Sequence, residues 1–208
     1  AGYIYSGKIA GEVYSKVKIP SVVVVLCPNH TGKGKRISVF PSGEWETPLG
    51  KVPVESRLSD LILQHCYGAD EDTLAHTNEH AIEVHLPFLQ RLNPSVRISP
   101  VVLGPLNLEA CRELGKGLAK AIKSFGEEVL VVASTDMRHY ISAQDAETLD
   151  RVSLACVAKL DPEALYKTVS THDISMCGYV RTTVTLVAAR ELGALESEII
   201  ACGNSGQD

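Results

Sequence analysis

The sequence predicts an α/β protein, a three-layer α/β/α sandwich around a mainly parallel central sheet. Short β-branched runs without polar alternation recur along the chain, and longer stretches with helical spacing separate them. The composition agrees: 208 residues with 45% hydrophobic and 22% charged residues and only 10 prolines describe a packed globular chain. Disordered, collagen-like and disulfide-scaffold classes are excluded. At about 150 residues per domain the length suits one domain over 1–208. No repeat, low-complexity tract or Pro/Gly/Ser linker divides it.

In chain order, a helical pattern over 6–16 precedes the run Val22-Val23-Val24-Val25-Leu26, which ends in Cys27-Pro28-Asn29. That run reads as a strand buried on both faces. In 36–52, Ser38-Val39-Phe40 and Trp45-Glu46-Thr47-Pro48-Leu49 flank Pro41-Ser42-Gly43, which predicts a hairpin turning at 41–43 beside the main sheet. A helix is expected over 54–64, and Asp70-Glu71-Asp72 reads as solvated loop. A helix over 78–91 is expected with Asn78 as its N-cap. Strands are predicted over 98–103 and 129–133, the second ending at Ser134-Thr135-Asp136. Helices are expected over 106–124, 143–159, 163–169 and 179–192, with a last short strand over 198–201.

Charge and cysteine usage narrow the partners. The net charge is −5, and 1 Trp, 7 Tyr and 3 Phe provide few stacking surfaces, so nucleic acid is not an expected partner. The longest strictly apolar run, 22–27, is far short of the roughly 18 residues that span a bilayer, so no membrane association is expected. Six cysteines without a C-x-x-C pair suit a reduced chain, and no basic-then-apolar leader is visible at Ala1-Gly2-Tyr3-Ile4-Tyr5. The expected location is cytoplasmic. Cys27, Cys66, Cys111, Cys156 and Cys202 read as small buried hydrophobes.

In open α/β sheets, ligands bind at the carboxyl ends of strands. There the sequence places Cys27-Pro28-Asn29-His30-Thr31-Gly32 and Ser134-Thr135-Asp136-Met137-Arg138-His139. The densest segment is His76-Thr77-Asn78-Glu79-His80-Ala81-Ile82-Glu83-Val84-His85-Leu86-Pro87-Phe88. On a helix from Asn78, His80 and His85 would point about 140° apart, and the spacing is not the H-E-x-x-H of zinc peptidases. Met176-Cys177-Gly178-Tyr179 precedes a helix, whose N-terminal dipole lowers a thiol pKa, and thiolate is both metal ligand and nucleophile. Thr31-Gly32-Lys33-Gly34-Lys35-Arg36 has the glycines and cations of an anion loop but not Walker A spacing. No nucleotide cofactor motif is present.

Taken together, Ala1-Gly2-Tyr3-Ile4-Tyr5-Ser6-Gly7, Pro28-Asn29-His30, Glu79-His80-Ala81-Ile82-Glu83-Val84-His85-Leu86-Pro87-Phe88, Ser134-Thr135-Asp136 with His139, and Cys177-Gly178 resemble the Memo family. Its members are similar in fold to the LigB-type, class III extradiol dioxygenases. The resemblance implies one metal ion held by His30, His80 and Cys177. It also implies a proton-handling pair, Asp136 and His139, with Asn29 and His85 lining the pocket. Thiolate in place of the dioxygenases' carboxylate favours softer metals, so Fe(II) or Cu is expected ahead of Zn. Family members carry a further segment before the Ala-Gly-Tyr motif and a strand after Ser205-Gly206, so further residues are expected at both ends.

Three functions are expected. The first is a metal-dependent redox or oxygen-using activity on a small organic substrate. The second is a non-catalytic adaptor that uses the cleft for a peptide or partner; prokaryotic members resemble partners of radical-SAM and AMMECR-type proteins. The third is a cysteine-hydrolase triad of Cys177, His139 and Asp136.

Overall fold

The computed structural model describes residues 2–136, 143–171, 176 and 178–202. Helix α1 (Tyr3–Lys16) leads into β1 (Val22–Pro28), β2 (Ile37–Val39), the ribbon β3 (Glu44–Thr47) and β4 (Gly50–Pro53), and α2 (Ser56–His65). Then come β5 (Asp70–Glu71), a 3-10 turn at Leu74–His76, α3 (Leu86–Leu92), β6 (Arg97–Leu103), α4 (Leu108–Phe125) and β7 (Val129–Ala133). Helices α5 (Ala143–Ala158), α6 (Pro162–Thr171) and α7 (Tyr179–Glu191) complete the order.

The main sheet runs β5-β2-β6-β1-β7. Strand β1 pairs in parallel with β6, from Val22↔Arg97 to Pro28↔Leu103, and with β7, from Val22↔Val129 to Leu26↔Ala133. Strand β2 is antiparallel to β6 and parallel to β5. All of β1 is buried, as its unbroken β-branched run requires, and its period of two divides the core. Val22, Val24 and Leu26 pack with Leu58 and Ile62 of α2, Leu114 and Leu118 of α4 and Val184 of α7. Val23, Val25 and Cys27 pack on the other face with Tyr14 of α1 and Leu86 and Leu89 of α3. Each fully buried valine contributes about 1.5–3 kcal/mol, so one strand anchors both helical layers. Asn107 caps α4 by accepting the Ala110 N–H at 2.8 Å, and Gly126 ends it at φ 77°.

Several expectations need correction. The hairpin is β3–β4, with Trp45↔Val52 and Thr47↔Gly50 paired across Pro48-Leu49. The turn thus lies after 41–43, because Ile37–Val39 is drawn into the main sheet against β6. Asp70 and Glu71 form the exposed edge strand β5 rather than a loop. Asp72 accepts the backbone N–H groups of Lys35, Leu74 and Ala75. Residues 198–201 form no strand. Cys27, Cys66 and Cys111 are buried as expected, whereas Cys156 is half-buried and Cys202 exposed. The helix expected from Asn78 begins only at Leu86. Asn78 adopts φ 64°, a left-handed conformation that asparagine tolerates but no N-cap uses.

Candidate metal centre

Strands β1 and β7 are neighbours, so their carboxyl ends bring 28–30 and 134–136 to one edge of the sheet. A cleft opens there, lined by His30, His80, Ala81, Ser134, Thr135 and Asp136 among others. The left-handed turn at Asn78 is followed by Glu79 N–H to His76 O, and then by turns closed by Val84 N–H to His80 O and His85 N–H to Ile82 O. These turns put Ile82 in the core and leave His80 at the cleft.

Glu79 organises the cleft. Its carboxylate is 2% exposed and accepts three hydrogen bonds: the His30 backbone N–H on Oε2 at 2.7 Å, His30 Nδ1 on Oε1 at 3.0 Å, and the Ala81 N–H on Oε1 at 3.1 Å. Burial alone would raise the Glu79 carboxyl, but these hydrogen bonds, with those from His30 foremost, outweigh it and hold the group below its usual value. Glu79 is therefore an acceptor only, so Nδ1 of His30 carries the proton and a neutral ring keeps its lone pair on Nε2. This is the carboxylate–histidine arrangement that orients metal-ligating imidazoles.

His80 joins from the other side. Its Nδ1 lies 3.7 Å from Glu79 Oε1, and its ring stacks on that of His30 at 5.2 Å between centroids and 13° between planes. One donor atom from each of His30, Glu79 and His80 lies within 4.8 Å of the others. Two imidazoles beside a buried carboxylate that orients one of them are chemically suited to a transition metal.

The other expected site residues divide. Asp136 is at the cleft with His30 and His80. His139 and Cys177 lie outside the described residues. Gly178 presses on the cleft wall: a Cβ there would come within 1.7 Å of Thr135 Oγ1 and 1.9 Å of its Cβ, so only glycine fits. Asn29 turns away to its own loop, its side-chain amide donating to Lys33 O at 2.7 Å and its oxygen accepting from the Thr31 hydroxyl at 3.1 Å. His85 is half-buried behind the cleft, with Nδ1 3.0 Å from the Tyr14 hydroxyl. Burial pushes its pKa down to about 4, against the opposing pull of Asp136. The glycine-rich loop commits two of its backbone donors within the protein. Its Lys35 N–H is spent on Asp72, its Lys33 N–H is spent on Thr31, and a Cβ on Gly34 would meet Asp72 Oδ2 at 2.1 Å.

Comparison with known proteins decides the family: a family model described as "Memo-like protein" matches residues 1–208. The chain belongs to the Memo family. Memo-family relatives include a "MEMO1 family protein" of Aquifex aeolicus, 42% identical over 99% of this chain and 76% of its own length. Another, of Methanothermobacter thermautotrophicus, is 38% identical over 99% of this chain and 76% of its own. A crystal structure of an "uncharacterized protein JW3007" from Escherichia coli K12 superposes with a TM-score of 0.63 at 15% identity. It covers 90% of this chain and 82% of the other, a likeness of fold alone. Among the described residues of this Memo-family chain, no helix is long and apolar enough to cross a membrane.

Sequence reasoning missed Glu79. The signal was present as a carboxylate immediately before His80, but its partner His30 is 49 positions away in sequence, and the two meet only in the folded chain.

Proposed function

We propose that this Memo-family protein binds one redox-capable transition metal, Fe(II) or Cu ahead of Zn, and uses it in redox or oxygen-dependent chemistry on a small organic substrate. His30 and His80 would hold the ion and Cys177 would complete the set. The observation that carries this reading is the buried Glu79 carboxylate, which holds through Nδ1 the ring of His30, a residue that lines the cleft. When bound, such a metal supplies electron transfer and Lewis acidity. The chain's own contribution is positioning and proton handling. Glu79 sets the His30 tautomer, Thr135 and Gly178 close the wall, and Asp136 with His139 holds and moves a proton beside the substrate.

Metal content is the test, measured by elemental analysis of protein purified without affinity-tag metals, for the wild type, His30→Ala and Cys177→Ser. About one equivalent of Fe or Cu in the wild type and a loss in both variants are expected. Full occupancy in both variants would refute the ligand assignment. A second reading, an adaptor that engages radical-SAM or AMMECR-type proteins, draws support from the exposed row Tyr3, Ile4 and Tyr5 at the head of α1, with Ile4 85% exposed.

A further inference from the structure

A second groove, of about 430 Å³, lies between the β3–β4 ribbon and the 3-10 turn and shares no lining residue with the cleft. Three rings wall it. Phe40 and Trp45 are 4.5 Å apart at 62°, Phe40 and His76 are 5.2 Å apart at 78°, and Trp45 and His76 are 6.1 Å apart at 69°. The rim is acidic, with Glu44, Glu46 and Glu83. Glu44 is tied to Lys51. Among the described residues neither Glu46 nor Glu83 is within ion-pair distance of a cation; Lys51 stands opposite Glu46 across the ribbon but is engaged by Glu44.

His76 is unexplained by the fold. It is 7% exposed, yet neither ring nitrogen has a hydrogen-bond partner; the nearby Ser38 backbone favours its charged form without meeting hydrogen-bond geometry. Burial lowers its pKa to about 4, so it adds no positive charge at neutral pH and offers a ring face and an acceptor nitrogen. A neutral aromatic corner under unpaired carboxylates is the environment an organic cation seeks: ring quadrupoles attract the charge, and alkyl groups pack on the ring faces.

We propose that this groove binds an alkylammonium group, with its carbons on Trp45 and Phe40 and its charge facing Glu46 and Glu83. The group can come from a free small amine or from a lysine side chain of a polypeptide. Trp45 is the single tryptophan, so its emission reads occupancy directly.

The experiment titrates the full chain with n-butylammonium, with neutral n-butanol, and with a blocked tripeptide carrying one lysine, following Trp45 emission and, in parallel, heat of binding. Saturable binding of either amine, with butanol at least about tenfold weaker, is expected. A lysine peptide that binds about tenfold tighter than butylammonium assigns the site to a polypeptide, and the reverse order assigns it to a free amine. The Glu46→Gln/Glu83→Gln double variant should bind about tenfold more weakly, a change of 1.4 kcal/mol. Both residues are exposed and, among the described residues, in no ion pair, so its thermal midpoint should match the wild type. No saturable heat or emission change up to about 50 mM amine, equal binding of butanol, or an unchanged affinity in the folded double variant would overturn the proposal.

Discussion

Replacing Glu79 with glutamine keeps its volume and removes its charge, and the geometry sets the cost. Three donors converge on two carboxylate oxygens: His30 N–H on Oε2, and His30 Nδ1 and Ala81 N–H on Oε1. A glutamine has one oxygen and one NH2. If its oxygen faces Nδ1 and Ala81, the NH2 meets the His30 backbone N–H donor to donor. If it flips, the NH2 faces Ala81 N–H and Nδ1, and the imidazole must move its proton to Nε2. One orientation leaves the part-buried His30 N–H unsatisfied and the other the buried Ala81 N–H, at a cost of up to about 1–3 kcal/mol. For a chain of this length that is a fall of roughly 2–12 °C in thermal midpoint. The orienting hydrogen bond is lost or inverted as well, so metal affinity should fall by about 10–100-fold. Differential scanning calorimetry and a competitive Zn(II) titration measure the two effects. A Glu79→Gln protein with wild-type midpoint and affinity would show that Glu79 does not organise the cleft, since no arrangement of an amide satisfies all three donors.

Other substitutions probe the surrounding shell. Gly178→Ala forces a Cβ onto Thr135, and because the clash is with the Thr135 Cβ as well as its hydroxyl, Thr135→Ala should not relieve it. Calorimetry should show a loss of at least about 1–3 kcal/mol. Tyr14→Phe removes the partner of His85 Nδ1 while Nε2 is already unpartnered, and chemical denaturation should report a loss of about 1 kcal/mol. Acid should weaken the fold early. His76 and His85, each lowered from 6.5 to about 4, take up a proton in the unfolded chain first, so their contribution is complete above pH 6.5 and is lost as pH falls toward 4. Glu79, held below its ordinary 4.5, adds a loss in the same direction below that pH. A thermal midpoint that stays flat from pH 7 to pH 4 would contradict both histidine assignments.

Legibility in the sequence tracks the range of the interactions. Strand β1 is readable because burial on both faces demands an unbroken apolar run, and 22–27 supplies one. Helix α4 is readable from its helical spacing over 106–124, while the Asn107 cap and the Gly126 stop, which that spacing does not show, set its observed ends at Leu108 and Phe125. The segment from Asn78 misleads because its helical spacing of apolar residues is real, but the hydrogen bonds that Glu79 makes to His30 and Ala81 compete with a helix. The hairpin is displaced because Ile37–Val39 has two suitors, a local turn and the exposed edge of β6, and the larger sheet prevails. At the site, His30 and His80 are singled out by their place in motifs, and the fold brings their rings together. Glu79 acquires its role only across 49 residues. Phe40 and Trp45 are near neighbours in sequence, but the aromatic groove is not readable there because His76 comes from a separate segment and joins their rings only in the folded chain.

The proposed function requires that Glu79 hold His30 in the Nδ1–H tautomer and so reserve Nε2 for a metal. Imidazole ¹⁵N NMR on labelled protein, before and after addition of one equivalent of Zn(II) as a diamagnetic probe, reads both features. A protonated Nδ1 and an unprotonated Nε2 are expected in the free protein, with the Nε2 resonance of His30 moving on metal addition. A proton on Nε2, or an Nε2 resonance unmoved at saturating metal, would rule out this role for Glu79.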